Sequence, residues 1–263
     1  MTRRKLPVLI LHADGTNRDH DAAQAFELAG AAPEIVHLNQ LRSGERRWRD
    51  YRLLVIPGGF SYADALGAGR LLAVDLKVYF ADEVRAFVES GKPVIGICNG
   101  FQALVKAGLL PSADGDSPAP SATLTFNASG HFECRWVTLA PASKTCLWTR
   151  HLSESIYCPV AHGEGRFILG EGSRLATLQA NGQIALTYAL PDGSPAQGAY
   201  PENPNGSLAD IAGVCNPAGN VLGLMPHPEN HIFDYQHPQR ARGGAGHSGM
   251  PLFAQGVAYA ENQ

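Results

Sequence analysis

The chain has 263 residues, 44% hydrophobic and 17% charged, with a formal net charge of −3. That length suffices for one large α/β domain with a buried core, and the charge balance excludes a strongly basic nucleic-acid binder or membrane-surface protein. The basic start Thr2-Arg3-Arg4-Lys5 precedes only a short apolar run, 8–11, before Asp14, too short for the core of a signal peptide, and no later stretch is long enough to span a bilayer. The five cysteines (98, 134, 146, 158 and 215) are odd in number and form no CxxC pair, which argues against a disulfide framework or zinc ribbon and for a cytoplasmic setting.

In chain order, Pro7–His12 reads as a buried strand closed by Asp14-Gly15. Ala22, Ala25, Phe26 and Ala29 then recur at helical spacing. Residues 34–38 and 52–56 read as second and third strands, the latter ending at Pro57-Gly58-Gly59. A helix is predicted over 70–90, stopped by Gly91, then a fourth strand over 94–97 and a helix over 100–107 capped by Gly108. This alternation predicts a flavodoxin-like, mostly parallel sheet with helices on both faces. After Leu110 the pattern changes. The Pro/Ser/Asp/Gly-rich run 111–120 reads as a loop, and shorter segments at 132–139, 174–178 and 183–188 read as strands of an antiparallel β insertion. Another Gly/Pro/Asn-rich loop covers 191–205, and 221–225 is a last buried strand before Pro226-His227-Pro228-Glu229. There is no internal repeat, and a single domain over 1–263 with a β insertion is the simplest organisation.

Gly96-Ile97-Cys98-Asn99-Gly100 puts a cysteine between a predicted strand and a predicted helix, with glycines two residues before and after it. This is the cysteine counterpart of the G-x-S-x-G nucleophile elbow, where a sharp turn lifts the nucleophile above the strand ends and needs small neighbours. The helix N-terminus that follows favours a thiolate. His227 and Glu229 end the last strand. In extended geometry their side chains point the same way, and a carboxylate beside an imidazole orients it and favours the imidazolium. Two strand ends at one sheet edge would bring Cys98, His227 and Glu229 together as nucleophile, base and orienter. Acyl transfer also needs amide donors for an oxyanion, for which the N–H groups of Asn99 and Gly59 are candidates, while Gln102, one helical turn on, is a candidate substrate contact. Cys158 and His162 have a loose metal-like spacing with no second pair to complete it, so no metal is expected. No GxGxxG or GxxxxGK[ST] follows a predicted strand, against a nucleotide-binding reading.

Gly96-Ile-Cys-Asn-Gly-Phe-Gln102 with Met225-Pro-His-Pro-Glu229 resembles the class I, triad-type glutamine amidotransferases. Within that class, Pro57-Gly-Gly-Phe-Ser-Tyr-Ala-Asp64 and Leu124-Thr-Phe-Asn-Ala-Ser-Gly-His-Phe-Glu-Cys-Arg-Trp136 resemble the glutaminase components of purine biosynthesis. The resemblance runs from about residue 7 to 233 and leaves 234–263 as a less well matched extension. Ala63 and His131 stand where the pattern has a glycine and an arginine. The resemblance implies that Cys98 attacks the glutamine carboxamide, that His227 protonates departing ammonia and then activates water, and that Glu229 orients His227. It further implies that Gly59 and Asn99 hold the oxyanion and that Gln102 helps bind glutamine. It implies as partners an ATP-dependent synthetase subunit (PurL) and a small bridging subunit (PurS). No cofactor would be bound by this chain, ATP and magnesium being used by the synthetase. Two competing readings are a class I amidotransferase serving another synthetase or acting alone, against which segments 60–64 and 124–136 argue, and a non-catalytic subunit, against which the intact triad argues.

Overall fold

The computed structural model describes residues 5–111, 121–170 and 175–263. Residues 2–4 of the basic start, nearly all of the predicted loop 111–120, and Arg174 lie outside the described residues. A nine-stranded sheet organises the fold, in the order β2-β1-β3-β4-β11-β10-β9-β6-β7. Its strands are β1 (Pro7–His12), β2 (Ala32–His37), β3 (Leu53–Ile56), β4 (Val94–Ile97), β6 (Glu133–Pro141), β7 (Ile156–His162), β9 (Ile184–Ala189), β10 (Ile211–Cys215) and β11 (Val221–Leu224). Strands β5 (Ala122–Thr125) and β8 (Arg166–Leu169) form a separate antiparallel pair. From β2 to β11 every pairing is parallel, and from β11 to β7 every pairing is antiparallel. The antiparallel segments therefore continue the main sheet beyond β11.

The parallel strands β3, β4 and β11 are buried along their whole length, as strands covered on both faces must be. Helix α1 (Asp19–Leu28) packs on β1 and β2 and against α7 (Met250–Glu261), which reaches β3. Helix α5 (Asn99–Lys106), backed by α3 (Arg70–Val78), covers β3, β4 and β11. Phe26 of α1 meets Phe253 of α7 edge-on at 5.2 Å and Trp148 at 6.4 Å. Each such fully buried ring is worth roughly 1.5–3 kcal/mol over leaving it in water. Gly256 lets α7 approach, because a Cβ there would lie 2.1 Å from Trp148 Cζ3. No helix among the described residues is long and apolar enough to cross a membrane.

Several elements differ from expectation. The single helix over 70–90 is two, α3 and α4 (Ala81–Glu89), because Phe80 leaves helical geometry to bury its ring against Trp48 at 5.4 Å. Asp82 and Glu83 then sit in the first turn of the new helix, where its dipole favours acids. The strand expected to end at Leu178 is instead helix α6 (Leu175–Ala180); its Ala, Leu and Gln residues are good helix formers, and Leu175 and Leu178 share a face at i, i+3. Residue 38 leaves β2 to open α2 (Leu38–Arg42), capped by His37. The extension after 233 closes the domain through α7, whose buried Leu252, Phe253, Gly256, Val257 and Ala260 recur at helical spacing.

Candidate active site

Cys98 is the hinge between β4 and α5, with φ 50° and ψ −105°, a left-handed backbone that is strained for any residue bearing a Cβ. Its amide is held by Leu224 O of β11 at 2.8 Å. The flanking glycines permit the turn by close approach: a Cβ on Gly100 would lie 1.9 Å from Ile56 O, and one on Gly96 would lie 2.5 Å from Leu104 Cδ1. The Cys98 thiol lies 3.8 Å from Ala161 O. As the first residue of α5, Asn99 carries an N–H with no acceptor inside the helix, at the positive end of its dipole.

His227 and Glu229 are brought together by a turn rather than by an extended strand. Pro228 opens a short 3₁₀ segment, Pro228–Asn230, which its fixed φ favours, and the turn swings Glu229 Oε1 to 2.7 Å from His227 Nδ1. Both side chains are buried. Since the carboxylate can only accept, Nδ1 carries the proton. Burial pulls the His227 pKa down, but the electrostatic pull of Glu229 and of Cys98, with the hydrogen bond to Glu229, overcomes it and raises the pKa to about 10. The ring is thus bonded through Nδ1 to the Glu229 carboxylate and lies within the electrostatic reach of Cys98.

Gly58 lies directly against this pair: a Cβ there would lie 2.7 Å from His227 Cε1 and 3.4 Å from Cys98 Cβ. Gly59 follows at φ +130° in a bridge to Thr16. Gln102 is buried, donating from Nε2 to Glu164 O at 2.7 Å and accepting from Asn99 Nδ2 at 3.2 Å. Each end of its amide keeps one further hydrogen-bonding place.

Strand β7 and the turn after it, clamped by Asn127, are the part of the site that sequence reasoning missed. Pro159 O accepts from the His227 amide at 2.8 Å, Ala161 O faces the thiol, and Glu164 O holds Gln102. His162 is clamped by Asn127, whose Nδ2 donates to His131 O and His162 O, both at 2.8 Å, so that its Oδ1 accepts from His162 Nδ1 at 3.1 Å. Burial, with the positive charge of His227 nearby, lowers the His162 pKa to about 3. Asn205, in the predicted loop 191–205, donates to Gly165 O and to Tyr188 Oη. The alternation of Ile156, Cys158 and Val160 marks a strand, but nothing in it points at a site. Among the described residues no cluster of three or more His, Cys, Asp or Glu could hold a metal ion.

The segment after Gly59 is strained as well. Tyr62, Ala63 and Asp64 have φ of 54°, 52° and 51°, each costing about 1–2 kcal/mol for an L-residue. This explains the glycine of the pattern at position 63. Ala63 is exposed, so its methyl group contributes little packing. Ala63→Gly should therefore stabilise the fold by about 1 kcal/mol, read as a raised urea midpoint with unchanged slope.

The chain resembles known proteins over nearly its whole length. Residues 5–260 match the family described as the CobB/CobQ-like glutamine amidotransferase domain. A phosphoribosylformylglycinamidine synthase subunit PurQ from Treponema denticola is 59% identical over 236 residues, 85% of this chain and 87% of the relative. Another, from Dehalococcoides mccartyi, is 42% identical over 260 residues, 97% of this chain and 98% of the relative. The solved structure of PurLQS from Thermotoga maritima contains a chain that superimposes with a TM-score of 0.74 at 32% identity, covering 97% of this chain and 99% of that one. A glutamine amidotransferase from Thermotoga maritima, 15% identical with a TM-score of 0.57, shares the fold.

Proposed function

The chain belongs to the CobB/CobQ-like glutamine amidotransferase family, and on that premise we propose that it is the glutaminase subunit of phosphoribosylformylglycinamidine synthase. It hydrolyses glutamine and passes the ammonia to an ATP-dependent synthetase subunit in purine biosynthesis, as the names of its relatives and the PurLQS assembly support. The observation that carries the chemistry is a thiol at a strained elbow beside an imidazole whose Nδ1 is held by Glu229 at 2.7 Å.

The Cys98 thiolate attacks the carboxamide carbon, and the carbonyl electrons move onto oxygen, held by the amides of Gly59 and Asn99. His227 gives its proton to the amide nitrogen as the C–N bond breaks, releasing ammonia and leaving a thioester. His227 then takes a proton from water, whose hydroxide adds to the thioester, and glutamate departs as thiolate re-forms. Glu229 keeps the ring oriented through both steps. Gln102 contributes its remaining hydrogen-bonding places to glutamine. ATP and magnesium are used by the synthetase and no cofactor is assigned to this chain. A small bridging subunit completes the complex, and the cytoplasm, where thiols stay reduced, is the setting.

Mixed with the synthetase, the bridging subunit, formylglycinamide ribonucleotide and ATP, the chain should make glutamine an effective nitrogen donor, while alone it should hydrolyse glutamine slowly. Product formation from ammonium but never from glutamine would overturn the pathway assignment. Rapid turnover by the isolated chain, unchanged by partner, would remove the partner dependence.

A further inference from the structure

The motif residues Ser61 and Asp64 take no part in the chemistry above, yet both converge on one side chain. Asn99 Oδ1 accepts from Ser61 Oγ at 2.5 Å and from the Ser61 amide at 3.3 Å. Its Nδ2 donates to Asp64 Oδ1 at 2.9 Å and to Gln102 Oε1 at 3.2 Å. All four hydrogen-bonding places of the amide are filled, which fixes its orientation, and Ser61 and Asn99 are both buried. Asp64 Oδ1 also accepts from the Gly69 amide at 3.3 Å. At Gly69 the loop lies on α5 so closely that a Cβ would be 2.8 Å from Ala103 N. The Asn99 side chain therefore ties the start of α5 to the segment that begins two residues after Gly59.

The two amides assigned to the oxyanion lie on different elements, Asn99 on α5 and Gly59 on the turn after β3. The pairing of β3 with β4, Ile56 level with Gly96, brings the two elements together, and the cross-link through the Asn99 carboxamide ties the loop after Gly59 to the start of α5. The three successive left-handed residues 62–64 are held in place around it, as strain is kept where its surroundings over-determine it. We propose that Ser61 and Asp64 are positioning residues for glutamine hydrolysis, acting through the Asn99 side chain to hold the Gly59 and Asn99 amides at the spacing the oxyanion requires. The inference rests on the function proposed above.

The test uses the assembled complex. Asp64→Ala should lower the glutamine-dependent kcat by about 10–100-fold, the loss expected when an oxyanion donor is misplaced, with KM little changed and the ammonium-dependent rate intact. Asp64→Asn retains an oxygen that can accept from Asn99 and Gly69, so it should recover most of that loss. Ser61→Ala, which removes one hydroxyl and keeps the Ser61 amide bond, covers the case of an Asp64→Ala variant that does not fold, and should lower kcat about tenfold, again at constant KM. Undiminished kcat in the alanine variants, a change confined to KM, or equal loss in Asp64→Asn and Asp64→Ala would overturn the clamp. A wild-type complex that does not hydrolyse glutamine would overturn the proposed function instead.

Discussion

Cys98→Ala abolishes glutamine-dependent product formation by the assembled complex and leaves ammonium-dependent formation at the wild-type rate. Removing the thiol removes the only step that turns the carboxamide nitrogen into ammonia, and the remaining oxyanion donors have no covalent intermediate to stabilise. A loss on the order of 10⁴-fold or more is expected for a triad nucleophile. The fold should survive, because alanine at φ 50° is no more strained than the cysteine it replaces and the Leu224 bond to the backbone amide is untouched. Circular dichroism and partner binding check that. Glutamine-dependent product at even a tenth of the wild-type rate would place the nucleophile elsewhere, and the remaining thiols are poor substitutes, since none of Cys134, Cys146, Cys158 and Cys215 sits at a strand-to-helix elbow.

Glu229→Ala should cost about 10³-fold in glutamine-dependent kcat, and its pH signature separates orientation from a general loss of packing. In the wild type, burial disfavours the His227 imidazolium, but Glu229 and Cys98 outweigh it and carry the pKa to about 10. Without the carboxylate, burial has the larger say and the pKa falls. A histidine whose pKa is raised on folding contributes stability that is complete below its unfolded pKa of about 6.5 and is lost as pH rises towards the folded value. The stability gap between wild type and Glu229→Ala should therefore be widest below about pH 6.5 and narrow as pH climbs towards 10. Urea unfolding at pH 6, 8 and 10 measures it. A gap that does not change with pH would mean that the carboxylate contributes packing and no charge.

Strong local signals were legible in the sequence. The apolar runs of β1, β3, β4 and β11, the glycines framing Cys98, and the His-Pro-Glu triplet each reflect short-range constraints: continuous burial, a sharp turn, or proline-fixed dihedrals. Weaker local signals were misread where tertiary contacts outweighed propensity. Phe80 breaks a helix because its ring is buried against Trp48, whereas the 175–180 segment, rich in helix formers, is too short for its periodicity to tell a helix from a strand. The contribution of β7 and the turn after it is made through carbonyl oxygens, held by the Asn127 clamp, and backbone groups carry no sequence signature.

The sequence by itself determined the fold class, through its alternating apolar runs and helices, and the glycine-framed elbow at Cys98 and the His-Pro-Glu triplet proposed here as base and orienter, because each of these motifs is written in residues within a few positions of one another. Tertiary structure alone decided that β4 and β11 are neighbours, with Ile97 level with Leu224, which brings Cys98 to His227. It also decided that a 3₁₀ turn sets the His227–Glu229 contact, and that Ser61 and Asp64 reach Asn99 across 38 and 35 positions of chain. Such contacts depend on strand order and on filled hydrogen-bonding places around buried amides, which form only when the whole sheet has assembled.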